Sequence, residues 1–447
     1  MAQTNQNIDV ADLIENQKFN WFRISILVWA CAVMFIEGYD MQVVSYAAPS
    51  IIKTWHVSKA YFGPVFGFGL FGYMLGATML SNLADRFGRK KLIVGGGLLF
   101  GAFTFAAAYS SSVTELLSLR FIAGLGLGCS IPSAIALTAE YAPSRIRATT
   151  ISVIFVGYNI GSAVGGFIAA KFIPAFGWPS IFYLGGIAPI VLSLILVFTL
   201  PESVRFLALK QGRPDRVAAI LAKLTGQTFA PGAQFILREE NQPGLPVKHL
   251  FTEGRAMMTS LLWLAFVASL FGHVFLTSWL PTVLESSGLS LANAVMAGAL
   301  LQAGGGVGCL FIGWLLDKRG IIAIALAFAI ATPLTVMIGF LGASAALIMT
   351  LVFVLGICIL GGQVGLNTVS GTIYPTYIRS TGAGWAFGVG RIGSILGPVI
   401  GGLLITVLPT TTVFLCAAIP VLCCAGATYF LARVPLAQPA REAPAVS

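Results

Sequence analysis

Charge is what this sequence has least of. Only 9% of its 447 residues are Asp, Glu, Lys or Arg. A soluble domain carries about 25%, so a water-soluble fold is excluded. Nor is a cleavable leader expected: the first 20 residues are polar, with Asp9, Asp12 and Glu15 and no apolar core. Cysteine is sparse and unpatterned. Cys31, Cys129, Cys309, Cys358, Cys416, Cys423 and Cys424 all lie in apolar segments, without ligand spacing or a disulfide framework, and read as small packing residues. No nucleophile–base pair, metal spacing or phosphate loop is legible, so an enzyme is not expected and no cofactor is implied. No separate signalling domain is legible, so a sensor is not expected.

What the chain has is apolar length. It is 57% hydrophobic with a mean hydropathy of +0.90. Runs of about 20 apolar residues recur, each able to cross roughly 30 Å of hydrocarbon as a helix. Helices 1–6 are expected near 24–46, 61–83, 91–110, 116–138, 149–172 and 180–200, and helices 7–12 near 258–282, 292–316, 321–341, 346–372, 382–407 and 411–432. The fold class is therefore all-α and membrane-embedded, in two six-helix bundles. An even number of spans puts both termini on one side. With that side in the cytoplasm, 21 of the 26 basic residues fall in cytoplasmic tails and loops. Lys53, Lys59 and Lys171 lie near the outer face, and Arg120 and Arg391 lie inside helices. This asymmetry fixes the orientation. It also accounts for the net charge of +10 without a nucleic-acid partner.

The expected layout is a cytoplasmic tail (1–23), a first bundle (24–200), a cytoplasmic linker (201–257), a second bundle (258–432) and a cytoplasmic tail (433–447). Within the linker, Pro201-Glu202 is a good helix start. Val217, Ile220, Leu221 and Leu224 follow helical spacing, with Arg216 and Lys223 off that face, as in an amphipathic helix on the inner surface. Pro243 and Pro246 punctuate the return to helix 7.

The two bundles are copies. S-N-L-A-D-R-F-G-R-K-K (Ser81 to Lys91) has a shorter echo, G-W-L-L-D-K-R-G (Gly313 to Gly320), with Asp85 and Asp317 232 positions apart. At that offset Gly88 meets Gly320, Pro49 meets Pro281, Pro143 meets Pro375, and Arg147 meets Arg379. N-I-G-S-A-V-G-G from Asn159 meets R-I-G-S-I-L-G-P from Arg391. Chance supplies one such match, not five in one register.

The first copy of that motif lies at the cytoplasmic end of helix 2 and turns into helix 3. Gly88 suits the tight turn, and Arg86, Arg89, Lys90 and Lys91 stay with the headgroups. Asp85 sits at the membrane edge, placed to meet a helix N-terminus or a basic side chain. Because transporters rock one repeat against the other, a gate is preferred to a static turn. G-x-L-a-D-R-x-G-R-K with a weaker second copy resembles the signature of the major facilitator superfamily, although Ser81 stands where the family usually has glycine. R-F-I-A-G-L-G-L-G (Arg120 to Gly128) resembles it as well. E-G-Y-D-M-Q (Glu37 to Gln42) resembles the D-G-x-D motif of the aromatic acid:proton symporters, with glutamate in the first acidic position. G-G-Q-V-G-L-N (Gly361 to Asn367), Y-P-T-Y-I-R-S-T-G (Tyr374 to Gly382) and G-W-A-F-G-V-G-R-I-G (Gly384 to Gly393) resemble the same family. That resemblance implies proton-driven import of benzoates, hydroxybenzoates, hydroxyphenylpropionates or related acids.

Ionisable residues inside spans are costly and mark function. Counting 1.5 Å per residue, Asp40 lies roughly 9 Å and Glu37 roughly 5 Å outward of the midplane, with Arg120 near the depth of Asp40. Glu37 and Asp40 share a helix face, so their charges repel, while Arg120 opposes that repulsion; such a setting poises a carboxylate to exchange a proton, Asp40 first because Arg120 is its switchable partner, and Glu37 second. The alternative is a structural Asp40–Arg120 pair. Arg391, near the midplane of helix 11, is the natural anchor for an organic carboxylate, and its repeat mate Asn159 is neutral; the alternative is a bond to helix carbonyls or to Glu37. Trp385 and Phe387 are placed to stack an aromatic ring or, as aromatics on helices more often do, simply to pack. His273, Gln302, Gln363 and Asn367 are placed to bind ring hydroxyls or, equally, each other. Glu140 lies beside Arg145 and Arg147 and belongs with the gate, as do Asp317 and Arg379 in the second half.

The expected function is thus a proton-coupled importer of an aromatic carboxylate, acting as a monomer in a bacterial inner membrane. Its expected partners are the acid, H+ and the lipid bilayer. Drug antiport is the alternative, but Ser162 replaces the proline of the exporters' helix 5 motif around Gly157, Gly161, Gly165 and Gly166. Sugar uptake, suggested by P-E-S-V-R-F-L (Pro201 to Leu207), needs no Arg391.

Overall fold

In the computed structural model, residues 7–15, 20–80, 83–209, 214–227, 229, 234–236, 247–252, 254–340, 344–375 and 378–434 are described. Ser81, Pro243 and Pro246 lie outside them. So do the side chains of Asp85, Arg145 and Arg379, although their backbone is helical.

Among the described residues, twelve helices are long and apolar enough to cross a bilayer. Helices 1–6 are Trp21–Trp55, Lys59–Leu80, Arg89–Ala107, Val113–Tyr141, Ser144–Phe176 and Pro179–Thr199. Helices 7–12 are Ala256–Ser286, Leu291–Arg319, Ile322–Phe340, Ala345–Ser370, Arg379–Val407 and Thr410–Leu431. Ser112 and Ser290 cap helices 4 and 8 by accepting from the amides of Glu115 and Asn293. Helix 1 runs nine residues past its expected end at 46, through Pro49. Tertiary contact outweighs the proline: Tyr46, Ala47, Ala48 and Ile51 are buried, and the Tyr46 hydroxyl donates to the Ser162 carbonyl at 2.9 Å.

Contacts divide the chain into two units. One is Met1–Trp55 with Phe68–Asn241; the other is His56–Gly67 with Gln242–Ser447. In the first, helix 1 packs on helix 5, and helix 3 packs on helices 4 and 6. In the second, helix 7 packs on helices 11 and 12, helix 8 on helix 10, and helix 9 on helix 12. The first turns of helix 2 belong to this second unit. There Phe66 meets the Trp279 ring edge-on at 5.2 Å, and the Trp279 indole donates to the Pro398 carbonyl at 2.8 Å.

The repeat seen in the sequence recurs at the closest helix contacts. Gly72 and Gly76 lie against the carbonyls of Phe121 and Leu125, and Gly161 lies against that of Phe35. Each contact has a counterpart 232 positions on: Gly304 on Phe353, Gly308 on Ile357, and Gly393 on Val267. A Cβ at any of the six would overlap the facing backbone, so small residues let these helices approach. The turn glycines match as well. Gly88 (φ 98°) donates to the Ala84 carbonyl at 2.9 Å, and Gly320 (φ 63°) donates to the Leu316 carbonyl at 2.8 Å.

Between helices 6 and 7 lie the short helices Val204–Leu209 and Pro214–Thr225. Val217, Leu221 and Leu224 are buried with Tyr141, Leu196 and Leu200 in one apolar cluster, while Ile220 is half-buried against it. A short parallel pairing not foreseen from the sequence joins Asn7–Asp9 to Gln234–Ile236, and the helix Val10–Glu15 follows it.

Candidate functional site

In the first unit, helix 1 carries Glu37 and Asp40, helix 3 Thr104, and helix 4 Arg120 and Ser130. All five are buried, Glu37, Asp40 and Thr104 completely so. Arg120 grips Asp40 with both terminal nitrogens. Nη2 donates to Oδ2 at 2.9 Å and to the Asp40 carbonyl at 3.3 Å, and Nη1 donates to Oδ1 at 3.1 Å. The Thr104 hydroxyl donates to Asp40 Oδ1 at 2.7 Å and accepts from Arg120 Nη1 at 3.2 Å. The equal depth expected for Asp40 and Arg120 thus becomes a bidentate, three-residue lock.

Glu37, one turn earlier, is treated differently. Its carboxylate meets no cation; the one side-chain partner set against it is the neutral Ser130 hydroxyl, short of full hydrogen-bond geometry. Burying an ionised carboxylate without a cation costs several kcal/mol, far more than burying the neutral acid. Charge compensation therefore reaches one acid of the pair and not the other.

The second unit has its own polar cluster in matching register. Ser269, 232 positions after Glu37, donates to Gln363 Oε1 at 2.5 Å, and Gln363 Nε2 donates to Asn367 Oδ1 at 3.1 Å. Gln302 Oε1 and His273 Nδ1 are buried without partners. Arg391 is half-buried on helix 11, where its carbonyl accepts from the Ser394 hydroxyl at 2.8 Å. Trp385 is 44% exposed and stacks on Trp263 at 5.9 Å; Phe387 is 39% exposed and meets Phe266 edge-on at 5.3 Å. Asn159, the repeat mate of Arg391, is buried in the first unit and donates to the Phe155 carbonyl of its own helix at 3.1 Å.

At the ends of helices 3 and 4 the gating candidates form a charged cluster. Arg89 pairs with Glu140, whose other oxygen accepts from the Ser203 hydroxyl at 2.5 Å. With Glu15, Arg147 and Arg205 they line a cavity of about 440 Å³. Burial, and then the nearby Arg147, pull the Arg205 guanidinium below its ordinary value. Arg86 is exposed and lies over the Phe87 ring at 5.4 Å. Gly88 leaves no room for a side chain, since a Cβ there would meet the Glu202 carboxylate. The Asp85 and Arg379 side chains are outside the described residues, and Asp317 is exposed at the end of helix 8. No group of three or more His, Cys, Asp or Glu that could hold a metal ion occurs among the described residues.

Sequence reasoning missed Thr104, Ser130, Ser269 and Glu202. Thr104 and Ser130 are ordinary hydroxyls in apolar helices, and only the fold turns them toward the acids. Ser269 was within reach, because the repeat offset leads to it from Glu37.

A family model described as Major Facilitator Superfamily matches residues 30–391. The gallate transporter of Pseudomonas putida is 38% identical over 88% of this chain and 88% of its own length. The 4-hydroxybenzoate transporter PcaK of Pseudomonas aeruginosa is 37% identical over 90% of each. Among solved structures, the xylose transporter XylE from E. coli superposes with a TM-score of 0.70 at 17% identity, covering 93% of this chain and 99% of that one. That similarity speaks for the fold alone.

Proposed function

The chain belongs to the major facilitator superfamily, and on that premise we propose that it imports an aromatic carboxylate together with protons by alternating access. Membership makes it a multi-pass transporter rather than an enzyme. The aromatic acid is supported by relatives that share more than a third of its residues and are named for gallate and 4-hydroxybenzoate.

The observation that carries the proton reading is Glu37, buried without a cationic partner one turn from a locked Asp40–Arg120 pair. From the sequence the proton belonged first to Asp40. The geometry favours Glu37, because Arg120 and Thr104 already compensate the Asp40 charge. Arg391 supplies the cation for the substrate carboxylate, with Trp385 and Phe387 beside the ring and Gln302, Gln363, Asn367 and His273 for its hydroxyls. A proton on Glu37 offsets the charge that the substrate brings. The loaded carrier then crosses without a net buried charge, and the half-loaded one is held back. No bound cofactor takes part.

On the side carrying the basic loops, which we assign to the cytoplasm of a bacterial inner membrane, the Arg89–Glu140 pair and its Ser203 bond support a switch. Arg86, Gly88, Arg147 and the motif acid Asp85 belong to it, with Asp317 and Arg379 as the second copy. Both termini lie on that side, and the monomer is the working unit.

A thermal-shift panel on the purified protein tests the substrate class. Gallate, 4-hydroxybenzoate and benzoate should stabilise it saturably, whereas xylose and a lipophilic cation should not. Stabilisation by the sugar or the cation, with none by the acids, overturns the reading.

A further inference from the structure

One cleft of the first unit lies apart from the buried cluster of Glu37, Asp40 and Arg120. It has a volume of about 1030 Å³ and opens between the start of helix 3, the end of helix 6 and the helix Pro214–Thr225. Four cations line it, Arg86, Lys90, Lys91 and Arg216, against the single carboxylate of Glu202. That carboxylate is already engaged: one oxygen accepts from the Lys90 and Ser203 amides, each at 3.0 Å. The remaining wall is apolar, including Val94, Val197, Leu200 and Ile220. Val197 is 41% exposed and its neighbour Phe198 is 88% exposed, as expected of a helix end bathed in lipid.

A ligand for this cleft needs two parts. An anionic group suits the cations, and an alkyl chain suits the apolar wall along helices 3 and 6. A small free phosphate meets only the first requirement, and a zwitterionic lipid brings no net charge to the basic rim. We propose that the cleft is a binding site for an acidic phospholipid of the leaflet on the side of the basic loops. Its phosphate sits among Lys90, Lys91 and Arg216, and one acyl chain lies over Val94 and Val197. Basic side chains at a membrane surface attract such lipids, and here the bundle adds an apolar seat. The site also bears on the transporter, because Glu202 joins the cleft to the turn at Gly88, and its neighbour Ser203 bonds the Glu140 of the charged cluster.

The test uses the purified full chain in detergent micelles, titrated with dioleoyl-phosphatidylglycerol while its thermal midpoint is followed. Dioleoyl-phosphatidylcholine and glycerol phosphate serve as the other two arms. Phosphatidylglycerol should stabilise saturably, and the other two should not. Lys91→Gln with Arg216→Gln should weaken the half-saturation roughly 30-fold, taking the surface attraction lost per basic residue. Lys318→Gln with Arg319→Gln, an equal charge change in the last turn of helix 8 and outside the cleft lining, should leave it unchanged. Ala219→Trp, which fills the cleft without altering charge, should weaken it as well. Parental affinity in the Lys91→Gln, Arg216→Gln variant, an equal loss in the Lys318→Gln, Arg319→Gln control, or glycerol phosphate matching the lipid each overturns the proposal. None of these readouts involves transport, so the substrate assignment stands or falls separately.

Discussion

Glu37 and Asp40 share a helix face and complete burial, yet only Asp40 is held, by Arg120 and Thr104. Their substitutions should therefore fail in different ways. Asp40→Asn strands a buried guanidinium, which costs about 3–5 kcal/mol of stability. Adding Arg120→Gln should restore much of the lost thermal midpoint; a double variant no more stable than the single would disprove the lock. Glu37→Gln breaks no ion pair, keeps an oxygen for the Ser130 hydroxyl and mimics the protonated acid, so folding should survive. Counterflow exchange should persist in it while accumulation driven by a pH difference is lost. If Glu37→Gln still concentrates substrate in response to the gradient, the proton is carried elsewhere, and Asp40 is the next candidate. At Arg391, lysine keeps the charge without the planar fork, so affinity for the acid should fall by roughly 1.5–3 kcal/mol, the scale of a charged hydrogen bond. Arg391→Ala should bind almost nothing; an inserted Ala variant with parental affinity would remove Arg391 from the site.

At the scale of elements, the twelve spans and their repeat were legible because both are written in many residues at once. Apolar runs of bilayer length and five matches at one offset do not depend on any single contact. The turn at Gly88 was legible too, since few residues other than glycine tolerate its backbone. Gly88→Ala and Gly320→Ala should each cost about 1–3 kcal/mol through the strained backbone. Gly88→Ala should cost more, because its Cβ meets Glu202 while that of Gly320 meets open space. Chemical denaturation in mixed micelles would compare them, and equal losses would show that the Glu202 contact is unimportant. Helix ends were less legible. Helix 1 continues through Pro49 because Tyr46 and Ile51 are packed by other helices, a fact absent from its own sequence. The partners of Asp40 were half legible: depth along the helix pointed to Arg120, but nothing in helix 3 singled out Thr104. Which carboxylate stays without a cation was not legible at all, since it depends on where three helices turn their side chains.

For the whole molecule, a motif made twice, a resemblance in helices 1, 10 and 11 and relatives at more than a third identity converge on one activity. Its most direct test is uptake of radiolabelled 4-hydroxybenzoate into liposomes containing only this protein, with and without an imposed inward proton gradient. The account predicts accumulation above the external concentration when the gradient is present, collapse to equilibration when a protonophore removes it, and loss of gradient-driven accumulation in Glu37→Gln. Uptake that ignores the gradient, or efflux of the acid as protons enter, would contradict proton-coupled import.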